Sequence, residues 1–169
     1  DLPVENRLKF QSRIVDLAPP WERLSVSDAF RRFGKMTVAE ALERDCFDEV
    51  MGVHIEPRLG LDRPVFLVDY PVRCGSLARR KSDDPSVVER FELYVAGLEL
   101  CNAFSELADP VEQRHRFETE NRLREAADRT VYPAAEPFLQ ALAHMPPAAG
   151  IALGIDRLVM LLTDAVSID

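Results

Sequence analysis

One stretch, residues 90–107, constrains the fold of this chain more than any other. Two runs in which apolar and polar residues alternate flank the dipeptide Ala96-Gly97. Alternation with a period of two is typical of β-strands, and a short glycine-containing link between two such runs is typical of a tight turn. The sequence therefore predicts a β-hairpin that turns at Ala96-Gly97.

The two faces of this hairpin are predicted to differ in chemistry. Strict alternation places Tyr94 opposite Glu99 and Glu92 opposite Cys101, all four on one face. The other face is apolar and is expected to pack on a core: Phe91, Leu93, Val95, Leu98 and Leu100. Neighbouring carboxylates repel each other unless a cation or a shared proton offsets the repulsion. Two interpretations stay open: the glutamates face water, or they bind a hard cation such as Mg²⁺ that bridges to phosphate.

Length and charge limit the class of protein. A chain of 169 residues with 47% hydrophobic and 30% charged residues is long enough for one domain with a sizeable core. No apolar run is long enough to span a membrane, and the first residues lack a secretory signal. Three cysteines without metal-like spacing favour a reducing, cytoplasmic location. The net charge of −8 argues against broad, non-specific contact with nucleic acid.

The rest of the chain predicts a mixture of strands and helices. We expect an extended lead-in within residues 1–18 and then a capped helix near 28–34. A second helix is expected over 37–51, with a capping box formed by Thr37 and Glu40. Residues 64–70 are short, β-branched and apolar, as in a central strand. Helices are predicted over 109–128 and 133–144, and a glycine-containing strand over 148–154 leads into a last helix.

Three separated segments resemble class II aminoacyl-tRNA synthetases. Gly150-Ile-Ala-Leu-Gly-Ile-Asp-Arg157 resembles motif 3 of that class, and the hairpin is similar to the adenylate-site strands of lysyl-tRNA synthetases. Asp16-Leu-Ala-Pro-Pro-Trp-Glu-Arg-Leu-Ser25 is similar to the segment that follows motif 2 in the aspartyl, asparaginyl and lysyl subclass. The resemblance runs across nearly all of the chain. It implies an α+β fold, an antiparallel sheet flanked by helices, with residues 1–169 as one partial catalytic domain.

Within this class the chain most resembles the lysyl-tRNA synthetase paralogue that ligates (R)-β-lysine to elongation factor P. Glu56-Pro-Arg-Leu-Gly60 resembles the Glu-Pro-x-x-Gly of that family, and Phe117-Glu-Thr-Glu-Asn121-Arg resembles its helix after the hairpin. Ala152 stands where lysyl-tRNA synthetases usually carry glycine. A methyl group there would reshape the amino-acid pocket by about one carbon. Such a change could favour a substrate whose amino group lies on the β carbon.

The resemblance implies roles in nucleotide binding for five residues. Glu92 and Glu99 match carboxylates that hold Mg²⁺ on the ATP phosphates, and Glu99 and Leu100 match residues that line the nucleotide. Gly154 matches a residue close to the adenine or ribose. Arg157 matches the catalytic arginine that stacks on the base or contacts the γ-phosphate region.

The resemblance implies that three further residues bind the amino acid. Asn102 matches a contact to the amino-acid head, Glu106 the carboxylate that pairs with the side-chain ammonium, and Ala152 a pocket wall. Strict alternation turns Asn102 and Glu106 away from Glu99. If all three line one cleft, the second strand must carry a β-bulge between Glu99 and Asn102.

The implied reaction is ATP-dependent formation of an aminoacyl-adenylate, followed by transfer to a lysine of elongation factor P. Two alternatives remain: a lysyl-tRNA synthetase that charges tRNA, and a non-catalytic remnant that binds a partner. We recognise neither motif 1, which forms the dimer interface in this class, nor the Arg-x-Glu of motif 2. We therefore expect these 169 residues to be inactive alone, and the complete protein to be a homodimer.

Overall fold

A five-stranded sheet forms the centre of the structure. The computed structural model describes residues 6–75 and 77–168. In spatial order the strands are β3 (Glu22–Ser25), β4 (Val65–Pro71), β5 (Val87–Val95), β6 (Leu98–Ser105) and β7 (Ala149–Leu153). Strand β3 runs parallel to β4, and the other neighbouring pairs are antiparallel. With helices flanking the sheet, this α+β architecture confirms the predicted fold class.

A separate two-stranded hairpin precedes this sheet. It consists of β1 (Arg7–Phe10) and β2 (Arg13–Asp16), which pair antiparallel. The sequence predicted one extended lead-in, of which residues 1–5 lie outside the described residues. Strand β3 was not predicted, because a four-residue strand gains its stability from pairing with β4, which is distant in sequence.

Six α-helices are described: α1 (Val26–Ala29), α2 (Val38–Glu43), α3 (Phe47–Val50), α4 (Pro110–Ala126), α5 (Glu136–Leu142) and α6 (Ile155–Thr163). The predicted capping box is present, since Thr37 and Glu40 each accept from the other's backbone N–H. The single helix predicted over 37–51 is wrong. The chain leaves the helix because Asp45 adopts a left-handed φ of 53°.

Hydrophobic side chains pack on both faces of the sheet. Leu93, Val95 and Leu100 lie on one face and pack with Leu161 of α6 and with the β1–β2 hairpin, which confirms the predicted apolar face. The larger core lies on the opposite face, under α1 to α3. Because cross-strand partners share a face, this core is on the same side as Glu92. Part of the face predicted to be polar is therefore covered by helices.

None of the described helices combines the length and the apolar character needed to cross a membrane.

Candidate functional site

A β-bulge in the β5–β6 hairpin decides which side chains share a face. Tyr94 pairs with Glu99, as the sequence predicted. Glu92 pairs with Asn102, however, and not with Cys101. The predicted pairing of Glu92 was wrong because strict alternation allows no extra residue in β6. The β-bulge lies between Glu99 and Asn102. This is the position predicted for the case in which Glu99, Asn102 and Glu106 line one cleft.

The extra residue of the bulge is Leu100. It stands between Glu99, which pairs with Tyr94, and the residue that pairs with Leu93. Its side chain is buried in the smaller core, and its carbonyl accepts a hydrogen bond of 2.8 Å from the backbone N–H of Gly154. Any contact of Leu100 with a ligand on the Glu92 face would therefore be made by backbone atoms.

Glu92 is the most highly connected side chain on this face. Its carboxylate is buried, with 6% of the residue exposed. One oxygen accepts hydrogen bonds from the hydroxyls of Tyr70 (2.6 Å) and Tyr94 (2.7 Å). The other accepts from Arg90 (2.6 Å) and from the amide of Asn102 (3.0 Å). Four donors thus occupy the four positions at which a carboxylate accepts hydrogen bonds.

The two tyrosines are held as donors. Burial raises the pKa of Tyr70 and of Tyr94 above the usual range, and the neighbouring Glu92 charge raises both further. Both phenols therefore stay protonated, and the buried carboxylate remains hydrogen-bonded. Arg90 supplies the opposite charge that a buried carboxylate needs.

Glu99 is better placed than Glu92 to bind a hard cation. The Glu99 side chain is 34% exposed, and its one hydrogen-bond donor among the described residues is Arg157. Glu92 would have to give up one of its four donors to bind a metal. Within residues 6–75 and 77–168, no three His, Cys, Asp or Glu side chains are arranged to hold a metal ion. Mg²⁺ often uses only one or two carboxylates together with phosphate oxygens, so the Glu92–Glu99 metal site stays a prediction.

Arg157 and Glu99 form the exposed end of the site. One guanidinium nitrogen donates to the Glu99 backbone carbonyl (2.7 Å) and to its carboxylate (3.1 Å). Arg157 lies in the first turn of α6, which begins after Gly154. The Arg157 side chain remains 49% exposed. The structure thus fixes a cation at a helix N-terminus beside β6, an arrangement suited to anions.

Glu106 lies at the other end of the same face. Its backbone N–H donates to the carbonyl of Ala148, and its carboxylate lies directly over Gly150 of β7. A Cβ atom at Gly150 would come within 2.8 Å of that carboxylate. The described part of the chain gives the Glu106 side chain no hydrogen bond and no ion pair. Ala152, two residues beyond Gly150 on β7, lies opposite Asn102.

Sequence reasoning missed Glu56 as a site residue. The Glu-Pro-x-x-Gly segment was recognised only as a family resemblance, although its spacing has a structural basis. After the short turn Glu56–Arg58, the carbonyls of Leu59 and Gly60 accept hydrogen bonds from the turn of the β5–β6 hairpin. This places Glu56 beside Tyr94, Glu92 and Glu99. Burial raises the pKa of Glu56, and the charges of Glu92 and Glu99 raise it further.

Replacement of Glu56 by glutamine is expected to stabilise the protein at neutral pH. Because the pKa of Glu56 is raised by folding, the charged form destabilises the fold, and stability falls as the pH rises through that pKa. Glu56→Gln should raise the melting temperature at pH 7–8, and the gain should vanish once acid protonates wild-type Glu56. Thermal unfolding between about pH 4 and pH 8 measures this. The matched control, Glu120→Gln on exposed α4, should show no such trend, and a pH-independent gain at Glu56 would contradict the assignment.

Comparison with known proteins identifies the family of this chain. The family model for class II tRNA synthetases (D, K and N) matches residues 4–169. The chain belongs to this family.

Relatives of this chain narrow the class further. It is 42% identical to the lysine–tRNA ligase of Moorella thermoacetica, over 94% of this chain and 37% of that protein. It is 40% identical to the lysine–tRNA ligases of Anaeromyxobacter dehalogenans and Thermosynechococcus vestitus, over 94% and 96% of this chain and 37% and 36% of those proteins. The chain thus spans a little over a third of the length of these relatives.

The structure brings the predicted site residues onto one surface. The bulge places on the Glu92 face the side chains of Glu99, Asn102 and Glu106, together with Ala152. Gly154 and Arg157 border this face at the N-terminus of α6. Leu100 differs, because only its backbone is available. The ligands assigned to these residues stay predictions.

Proposed function

We propose that the protein containing this chain activates lysine with ATP as a lysyl-adenylate and transfers the lysyl group to tRNA. The observation that carries the proposal is the Glu106 carboxylate, half-buried and without a partner among the described residues, on the face that ends in the Glu99–Arg157 pair. A carboxylate that has lost part of its hydration and lacks a counter-ion is suited to bind a cation. The ε-ammonium of lysine supplies that cation.

Each end of the face has a separate task in this reaction. Glu106 binds the side-chain ammonium of lysine, so that the carboxylate of the lysine substrate lies toward Asn102 and Glu99. Arg157 offers positive charge to the phosphates of ATP. A carboxylate oxygen of lysine then attacks the α-phosphorus, the bond between that phosphorus and the oxygen bridging to the β-phosphorus breaks, and pyrophosphate leaves. The chain contributes mainly positioning and charge stabilisation. Mg²⁺ bound at Glu99 would neutralise phosphate charge.

Lysine-dependent ATP–pyrophosphate exchange by the full-length protein tests this function. Glu106→Gln keeps the shape of the side chain and removes its charge. We expect the KM for lysine to rise about 100-fold or more, because the ammonium loses its charge-assisted partner, while the KM for ATP changes less than about threefold. The control Glu118→Gln, on the exposed surface of α4, should change neither constant. Equal effects of Glu106→Gln on both constants would contradict the role of Glu106.

A second acceptor has support from a specific observation. Ala152 places its methyl group opposite Asn102, at the end of the face assigned to the head of the amino acid. The Ala152 methyl group would narrow the amino-acid pocket by one carbon. A narrower pocket would favour a substrate whose amino group lies on the β carbon, as in β-lysine. Asn121, part of the second segment resembling the elongation factor P ligases, exchanges two hydrogen bonds with the backbone of Tyr132. On the basis of Ala152, we propose ligation of β-lysine to elongation factor P as the second candidate function.

A direct competition experiment distinguishes tRNA from elongation factor P as the acceptor. The full-length protein is incubated with ATP, radiolabelled lysine or β-lysine, and an equimolar mixture of tRNA and elongation factor P. Labelled tRNA with lysine supports the first function, and labelled elongation factor P with β-lysine supports the second. If Ala152 sets the preference, Ala152→Gly should shift activation from β-lysine toward lysine. Absence of exchange with any amino acid would support a non-catalytic remnant.

A further inference from the structure

Arg90 lies beside Glu92 and Asn102 on this face and contacts both of them. It lies on β5, two residues before Glu92, and its side chain is only 16% exposed. Its three nitrogens donate to three different groups: to the Glu92 carboxylate (2.6 Å), to the side-chain oxygen of Asn102 (3.2 Å) and to the backbone carbonyl of Cys74 (2.8 Å). Its guanidinium also lies over the ring of Tyr70, 4.3 Å from the centroid. Together these contacts fix the orientation of the planar guanidinium group of Arg90.

These contacts determine the orientation of the Asn102 amide. A guanidinium only donates hydrogen bonds, and an ionised carboxylate only accepts them. With Arg90 on one side and Glu92 on the other, the amide oxygen must face Arg90 and the amide nitrogen must face Glu92. The reversed amide would place nitrogen against a donor and oxygen against an acceptor. Asn102 therefore has a single favourable orientation.

The fixed amide has a consequence for recognition. One hydrogen of the Asn102 amide nitrogen is used by Glu92, so the second remains to donate to a ligand on this face. That hydrogen selects an acceptor, such as a carboxylate oxygen, and not an ammonium group. If the amide could rotate, the same position would present an oxygen and favour the opposite chemistry.

We infer that Arg90 is a positioning residue, which holds Asn102 so that its remaining amide N–H donates to the carboxylate of the amino-acid substrate. The inference rests on the proposed function. It goes further because it assigns a role to Arg90, which acts through Asn102 and not by contact with lysine or ATP. Lysine cannot replace Arg90 here, because a single ammonium cannot reach three acceptors spread over one plane. Arg90→Lys should keep the pairing with Glu92 and release the amide of Asn102.

A double-mutant cycle in lysine-dependent ATP–pyrophosphate exchange by the full-length protein tests this role. Arg90→Lys should raise the KM for lysine about tenfold, and Asn102→Ala about thirtyfold, since the substrate loses one hydrogen bond to a charged group. The double variant should lie within about threefold of Asn102→Ala alone, because Arg90 acts only through Asn102. The control Arg79→Lys alters an exposed pair with Glu89 and should leave the KM unchanged.

Three results would overturn the inference. Additive effects, giving a KM about 300-fold above wild type in the double variant, would show that Arg90 acts independently of Asn102. A lowered melting temperature with an unchanged KM would show a structural role only. Exchange with no amino acid would refute both this inference and the proposed function, whereas additive effects in an active enzyme would refute this one alone. Should Arg90→Lys fail to fold, Arg90→Gln replaces it, with the same expected KM.

Discussion

Replacing Glu92 by alanine is expected to lower the free energy of unfolding by about 3–5 kcal/mol, the usual cost of leaving a buried charge without its partner. Arg90 would lose its counter-ion, and the hydroxyls of Tyr70 and Tyr94 would lose their acceptor inside the protein. Unsatisfied buried groups cost far more than an average hydrogen bond contributes. Urea-induced unfolding of the protein, with and without the substitution, measures the difference.

Two further variants separate the explanations for this loss. Glu92→Gln keeps the volume but turns an amide N–H toward two donors, so we expect substantial destabilisation without any cavity. Glu89→Ala removes a carboxylate of the same strand that pairs with exposed Arg79, and should cost no more than about 1 kcal/mol. If Glu92→Ala cost as little as Glu89→Ala, the hydrogen-bond network around Glu92 would not exist in solution.

Gly60→Ala is expected to destabilise the protein by about 2–3 kcal/mol. Gly60 has a φ of 69°, which side-chain-bearing residues rarely adopt. A Cβ atom there would overlap the backbone of β5, at 2.7 Å from the carbonyl carbon of Tyr94 and 2.9 Å from the nitrogen of Val95. The same residue accepts a hydrogen bond from Ala96 in the hairpin turn. Moving Gly60 away would therefore disturb the turn that sets the register of β6.

Gly52→Ala provides the matched control. A Cβ atom at Gly52 meets no atom within 4 Å, and its φ lies outside the left-handed region. Since alanine restricts the unfolded chain more than glycine does, this variant should be neutral or more stable by up to about 1 kcal/mol. Thermal unfolding of both variants decides the matter. Equal melting temperatures would contradict the close contact between the Glu56–Gly60 segment and the hairpin.

Local signals in the sequence predicted much of the fold. The capping box at Thr37, the helix start at Asp109-Pro110 and the alternation in residues 90–107 each act over a few residues, and the structure contains all three elements. The missed features depend on distant contacts. Strand β3 requires β4 as its partner, and the left-handed Asp45 ends a helix whose composition would allow it to continue.

The candidate site could be predicted in composition but not in detail. Resemblance identified Glu92, Glu99 and Glu106, and the need for one cleft indicated a bulge in β6. The saturation of Glu92 by four donors depends on Tyr70, which is 22 residues away in sequence. Glu56 reaches the site only because its loop is hydrogen-bonded to the hairpin turn. No spacing rule within the sequence reveals either contact.

Binding of a stable lysyl-adenylate analogue, lysyl-sulfamoyl-adenosine, to the full-length protein is the most direct test of the central claim. The comparison ligand is the norleucyl analogue, which has a similar length but lacks the ε-ammonium. Isothermal titration should show the lysyl compound binding about 100-fold more tightly, because the norleucyl chain leaves Glu106 unpaired. Equal affinity for the two compounds, or no binding of either, would contradict a lysyl-adenylate site on this face of the hairpin.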